Sequence, residues 1–217
     1  MNFHLADFAA ATGVAEAERF ADRCEFLRTL LEERNRQVNL TRLTGEDDFA
    51  LKHVADSLSI FRLFPELLSA PARIADIGCG AGFPSLILAL AAPQLEITAI
   101  DSTGKKIDFV ADAAAALGLT NLKAVRGRAV ELNRKAEYRG RFDVITARAV
   151  AESPRIYAET RNFPAPGGRF LFYKTPAQAE EELPALRKLA GVQWRVSEIY
   201  SLPENSGERC FVIGSLR

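Results

Sequence analysis

Two histidines, three cysteines and one tryptophan occur among the 217 residues, and these scarcities remove several chemistries at once. Cys24, Cys79 and Cys210 are odd in number and scattered, so they form neither a disulfide framework nor a C-x-x-C metal pair, which fits a reducing compartment. No metal site is expected. Long apolar runs are also missing: the run at 86–92 is far shorter than the roughly 20 residues that cross a bilayer. Asp7 stands early and no charged-then-apolar leader pattern follows, so the reading is a cytoplasmic protein with no membrane partner. A formal net charge of +0 argues against a generally basic protein that coats nucleic acid.

What is present is a chain that is 48% apolar, enough for a full core and suited to one α/β domain with an appendage. The charge is unevenly distributed. Residues 1–100 hold 9 basic and 14 acidic residues, residues 101–148 hold 10 and 6, and residues 149–217 hold 9 and 8. The positive excess therefore falls in 101–148, as a solvated helix face or as a surface for a polyanion. Residues 1–70 read as an N-terminal helical cap, with Phe20, Cys24, Leu27, Leu30 and Leu31 in helical spacing and a second amphipathic run at 47–68. Between them, 39–43 alternates polar and apolar residues without the length for a sheet. From 71 to 217 strand and helix patterns alternate, predicting a mostly parallel seven-stranded sheet. Strands are expected at 73–77, 95–100, 122–125, 142–147 and 169–173. A closing antiparallel hairpin is expected from 194–200 and 210–216.

The densest local signal follows the first strand: Asp76-Ile77-Gly78-Cys79-Gly80-Ala81-Gly82-Phe83-Pro84. A dinucleotide turn uses G-x-G-x-x-G, whereas here the spacing is Gly78-x-Gly80-x-Gly82 and Phe83 stands where the third glycine of that pattern belongs. Asp76 would repel a phosphate but suits a cationic amino-acid end. Asp101 closes the next strand, where an acid can hold ribose hydroxyls, and Ser102 follows it. The run resembles motif I of the S-adenosylmethionine-dependent methyltransferases, which implies a Rossmann-like class I fold and S-adenosyl-L-methionine as cofactor. A glycine-rich strand–helix turn without a ligand is the plainer alternative.

Five further stretches resemble a single family. They are Asn39-Leu40-Thr41, Lys52-His53-Val54-Ala55-Asp56-Ser57, Asp101-Ser102-Thr103-Gly104-Lys105-Lys106, Gly127-Arg128-Ala129 and Arg148-Ala149, with a return at Glu208-Arg209. In this order they resemble the bacterial GidB (RsmG) methyltransferases, which modify a guanine at N7 in small-subunit (16S) ribosomal RNA. The chain departs from that family at Thr175, where glycine usually follows the lysine, and at Val130, where glutamate is usual. It also departs at Lys52 and Lys106, which stand where arginine is favoured and lack its bidentate fork.

The resemblance implies cofactor contacts from Asp76, Gly78, Gly80, Gly82, Phe83, Asp101, Ser102, Ala129, Val130 and Arg148. Arg148, at the carboxyl end of the fourth strand, and Arg128 are the expected catalytic positions. Lys52, His53, Lys105, Lys106, Arg126 and Lys174 are the candidates for RNA contact. Each has a bland alternative: a capping arginine, a surface salt bridge, a solvated lysine, a packed histidine or a core phenylalanine. N7 of guanine has a lone pair and no proton to lose, so no general base is required. The chain has no Asn/Asp-Pro-Pro-aromatic loop for exocyclic amines, and neither Cys79 nor Cys210 is placed as a nucleophile. The expected partner is 16S ribosomal RNA or the small ribosomal subunit, with a monomer favoured. The alternatives are a methyltransferase of the same fold for a small molecule or protein, and an inactive cofactor-binding module.

Overall fold

The computed structural model describes residues 3–41 and 45–216, so Arg42 and Leu43 of the alternating stretch lie outside the described residues. Helices α1 (Leu5–Ala11) and α2 (Ala17–Gln37) come first, and α2 buries Phe20, Cys24, Leu27 and Leu31 along one stripe. The second amphipathic run is not one helix. It proceeds through α3 (Glu46–Asp48), a π-helical stretch (Phe49–Ala55), α4 (Asp56–Leu58) and α5 (Ile60–Leu63), then a short 3-10 turn (Pro65–Leu68). Pro65 opens that turn because its fixed φ suits a first helical position.

The sheet follows: β1 (Ala72–Ile77), β2 (Leu95–Asp101), β3 (Leu122–Arg126), β4 (Phe142–Arg148), β5 (Pro164–Lys174), β6 (Val192–Val196), β7 (Tyr200–Ser201) and β8 (Glu208–Leu216). Their order is β3-β2-β1-β4-β5-β8-β6, parallel from β3 to β5 and antiparallel at β8 and β6. The expected hairpin strand at 194–200 is interrupted. β6 stops at Val196, where the Ser197 hydroxyl takes the backbone N–H of Phe211, and the two-residue β7 then pairs with the start of β8. Seven positions across the sheet thus hold eight strands.

Between strands lie α6 (Ser85–Ala91), α7 (Gly104–Ala116), α8 (Ala129–Leu132), α9 (Ser153–Thr160) and α10 (Pro176–Leu186). Central strands are apolar on both sides because helices cover both faces. One buried cluster joins α2, α6 and α7 through Leu27, Leu31, Leu86 and Val110; the other joins α9 and α10 to the opposite face through Ile156, Ala179, Phe170 and Trp194. β1 lies between β2 and β4, so successive connections leave it in opposite directions and open a crevice at the strands' carboxyl ends.

Candidate functional site

β1 leads directly into the glycine turn. Gly78, Gly80 and Gly82 have φ of +64°, +59° and +91°, left-handed values that cost other L-residues energy. A Cβ on Gly82 would stand 2.4 Å from Leu86 Cδ1, so this glycine lets α6 pack against the turn. Beside Gly80 the space is open, with Gly78 O the nearest neighbour to an added Cβ at 4.0 Å. Asp101 fixes the turn's height: its Oδ2 accepts the Gly80 N–H at 3.1 Å and its Oδ1 accepts the Thr103 N–H at 2.8 Å. Each carboxylate oxygen retains further acceptor capacity. It faces a cavity of about 440 Å³ lined by Asp101, Ser102, Arg128, Ala129, Val130 and Val150.

Asp76 does not meet that cavity, which corrects its expected contact with the cofactor. It is wholly buried behind the turn, where Oδ2 accepts from Ser85 Oγ at 2.5 Å and Oδ1 from Thr146 Oγ1 at 3.0 Å. Burial pushes its pKa up to about 6 against the opposing effect of those two hydroxyls. Its work is to lock β1 to α6 and β4.

A second cavity, about 460 Å³, opens on the other side of Gly78 and is lined by Lys52, His53, Asp56, Phe83, Lys106 and Arg148 among others. Arg148 dominates it. Nη1 donates to Lys52 O at 2.7 Å and to Asp56 Oδ2 at 3.1 Å, while Nη2 lies 3.1 Å from His53 Nδ1. A guanidinium has only donors, so Nδ1 must be the acceptor there. Three acceptors from one π-helical segment and its continuation thus converge on one side chain; π-helical turns often occur at functional sites. The His53 ring stacks on Phe83, with centroids 4.1 Å apart and planes 17° from parallel. Tyr173 Oη donates to Ser57 O at 3.0 Å and Tyr200 Oη to Ser59 Oγ at 2.7 Å, tying the same segment to β5 and β7.

The structure brings together most of the expected residues but divides them. Gly78 borders both cavities; Asp101, Ser102, Arg128, Ala129 and Val130 line one, and Gly80, Phe83, Lys52, His53, Lys106 and Arg148 line the other. Arg148 thus borders the second cavity, and Arg128 borders the first. It is exposed at the N-cap of α8 on the Asp101 side. His53 is 5% exposed and packed, so it serves as wall and acceptor rather than as a surface RNA contact. Lys174 also lines the second cavity but is buried, with Nζ 2.7 Å from Glu182 Oε1 and 3.0 Å from Ala151 O, so its ammonium is held by partners within the protein instead of reaching out as a surface phosphate contact. Lys105 and Arg126 remain exposed, and the Arg126 guanidinium lies against Gly104 at the start of α7. Thr175, the departure from the glycine, caps α10 through a reciprocal pair with Gln178. Asp56, Arg209 and Glu182 were not singled out by the sequence. The signal for the first two lay within the 52–57 and 208–209 stretches.

The open side of Gly80 and the residual acceptors of Asp101 fit a nucleoside cofactor lying against the turn. Comparison with known proteins agrees with this architecture. A family model described as "rRNA small subunit methyltransferase G" matches residues 22–209. A relative called "Ribosomal RNA small subunit methyltransferase G" from Lactobacillus delbrueckii subsp. bulgaricus is 39% identical over 183 residues, covering 82% of this chain and 76% of its own. Another of that name from Deinococcus radiodurans is 42% identical over 190 residues, covering 86% and 74%. Among solved structures, cofactor-bound Rv0187 from MTB superposes with a TM-score of 0.63 at 16% identity, over 88% of this chain and 89% of its own. A SAM-dependent methyltransferase from Aquifex aeolicus gives 0.55 at 17%, over 72% and 88%. The solved structures establish a Rossmann-like class I methyltransferase fold, and the sequence matches establish that the chain belongs to the rRNA small subunit methyltransferase G family.

Proposed function

We propose that this protein transfers the methyl group of S-adenosyl-L-methionine to N7 of a guanine in 16S ribosomal RNA. The observation that carries the reading is the meeting of two unlike cavities at Gly78, one suited to a nucleoside and one basic and aromatic, in a chain of this family. When bound, the cofactor supplies an electrophilic methyl group on a sulfonium. Asp101 would accept from the ribose hydroxyls, with Ser102, Ala129 and Val130 around the adenine. Gly80 allows close approach of the turn's backbone, and Phe83 with His53 forms an apolar wall beside the amino-acid end.

The chain's part in methyl transfer is to hold the acceptor and donor atoms in line at about 3 Å. N7 needs no deprotonation, and the site's groups match that demand. Burial pushes the Tyr173 hydroxyl and the Cys79 thiol well above their ordinary values, so both stay neutral near pH 7. Arg148 bonded to both N7 and O6 would occupy the reacting lone pair, so it is assigned to O6, to stacking on the base, or to the cofactor. A base within a duplex is shielded from this cleft, which favours an unstacked loop guanine. Lys105, Lys106 and Arg126, with Lys52 at the rim, would meet phosphates. Labelled methyl transfer to 16S rRNA from cells lacking the activity, followed by mapping, tests the proposal. Label at one guanine N7 supports it; label confined to protein, to small molecules or to another base position rejects it.

A further inference from the structure

We infer that Asp56 is a positioning residue for Arg148, holding it in common with Arg209. Asp56 is 4% exposed, yet its carboxylate lies between two cations from distant strands: Oδ2 is 3.1 Å from Arg148 Nη1 at the end of β4, and Oδ1 is 3.4 Å from Arg209 Nε at the start of β8. Oδ1 makes no hydrogen bond among the described residues, so this buried oxygen is held by charge alone. Asp56 is itself fixed. The Ser59 hydroxyl donates to its carbonyl at 2.6 Å, and Tyr173 and Tyr200 anchor the residues that follow. A carboxylate in a rigid frame gives the guanidinium a defined plane, because Lys52 O and His53 Nδ1 complete the same set of acceptors. The second Nη2 proton and the Nε proton of Arg148 make no hydrogen bond among the described residues and are available to a bound base or cofactor. Arg209 is the counterweight: without the shared carboxylate, two guanidinium groups would stand close together and repel.

This inference rests on the proposed methyl transfer for its kinetic readout but has a separate structural one. The full-length protein would be compared as wild type, Asp56→Asn, Arg209→Gln and the double variant. Measurements are the kcat for 16S rRNA, the Kd for S-adenosylmethionine, the thermal midpoint and the NMR resonances of the Arg148 Nη protons, which resolve only when the guanidinium is held. Asp56→Asn is expected to lower kcat about tenfold or more and to broaden the Nη signals, with Kd within about threefold. In the double variant, the amide introduced at position 56 can donate its N–H to the glutamine side chain introduced at position 209, while its oxygen accepts from Arg148. Both signals and kcat then return to within about threefold of Arg209→Gln alone. Additive losses, or wild-type behaviour of Asp56→Asn, would overturn the inference. Should Asp56→Asn fail to fold, Arg148→Lys keeps the charge but loses the fork and is expected to lower kcat equally; an unchanged kcat overturns the inference. Restoration of the Nη signals without any methylated RNA would sustain the positioning role and reject the proposed reaction.

Discussion

On the Asp101 side of Gly78 the cavity is lined by the ends of β1 and β2 and the loop after β3, with Arg128, Arg155 and Glu159 also facing it, whereas on the Arg148 side the lining includes charged and aromatic groups from 52–56, 83, 148, 173 and 209. The first is rigid through backbone hydrogen bonds to a single carboxylate. The second is rigid through buried charge, with Arg148 paired to Asp56 and, close by, Lys174 to Glu182. A site of the first kind tolerates change at its rim but not in its turn. A site of the second kind depends on each partner, because a lone buried charge is far costlier than a pair.

The largest expected effect is on the charged side. Lys174→Met leaves Glu182 buried with only the Ser153 N–H and hydroxyl as partners, and frees the Ala151 carbonyl. Chemical denaturation should show a loss of about 3–5 kcal/mol; a loss below about 1 kcal/mol would mean this pair behaves as a surface bridge and the contrast fails.

Next is Asp76, behind the turn. Its folded pKa of about 6 lies above the ordinary 3.8. Its contribution is therefore fully present below about pH 4 and is lost as pH rises through 6, by up to about 3 kcal/mol. Asp76→Asn should abolish this dependence, so the stability difference between variant and wild type, followed by denaturation from pH 4 to 8, rises and then levels off above about pH 7. A flat difference would show that Asp76 is not buried as a strained carboxylate.

Asp101→Ala, on the backbone-built side, should weaken S-adenosylmethionine binding about 30- to 100-fold in calorimetry while leaving the Arg148 network intact. Equal affinity would remove Asp101 from the ribose. Smallest is Lys105→Ala: a few-fold loss of RNA affinity and a salt slope reduced by about one, with cofactor affinity unchanged. An unchanged salt slope would take this lysine off the RNA path.

The two sides also differ in how far they can be read from sequence. Gly78, Gly80, Gly82 and Asp101 are legible because each acts through local backbone conformation or a strand end, and the spacing encodes both. The parallel sheet and its antiparallel end at β8 are likewise legible from alternation, whereas the strand order is not. Asp76 is not, because its neighbour Ser85 and its partner Thr146 lie on separate elements, and nothing local says that α6 seals it from the cavity. Lys174 is hidden for the same reason: its partner Glu182 is two turns along α10, visible only once Thr175 is seen to start that helix. Arg209 and Asp56 meet across more than half the chain. Their pairing depends on the π-helical stretch, which no periodicity announces.

Because Asp101 is assigned to the ribose on one side of Gly78 and Arg148 to the meeting of base and methyl donor on the other, the most direct measurement is on Arg148→Ala, following S-adenosylmethionine affinity and methyl transfer to 16S rRNA in the same preparation. The expected result is a Kd within about threefold of wild type and a kcat at least about 100-fold lower. Parallel loss of both would make Arg148 a determinant of cofactor affinity rather than of transfer, and retention of both would remove it from the reaction; either contradicts its assignment to the transfer step.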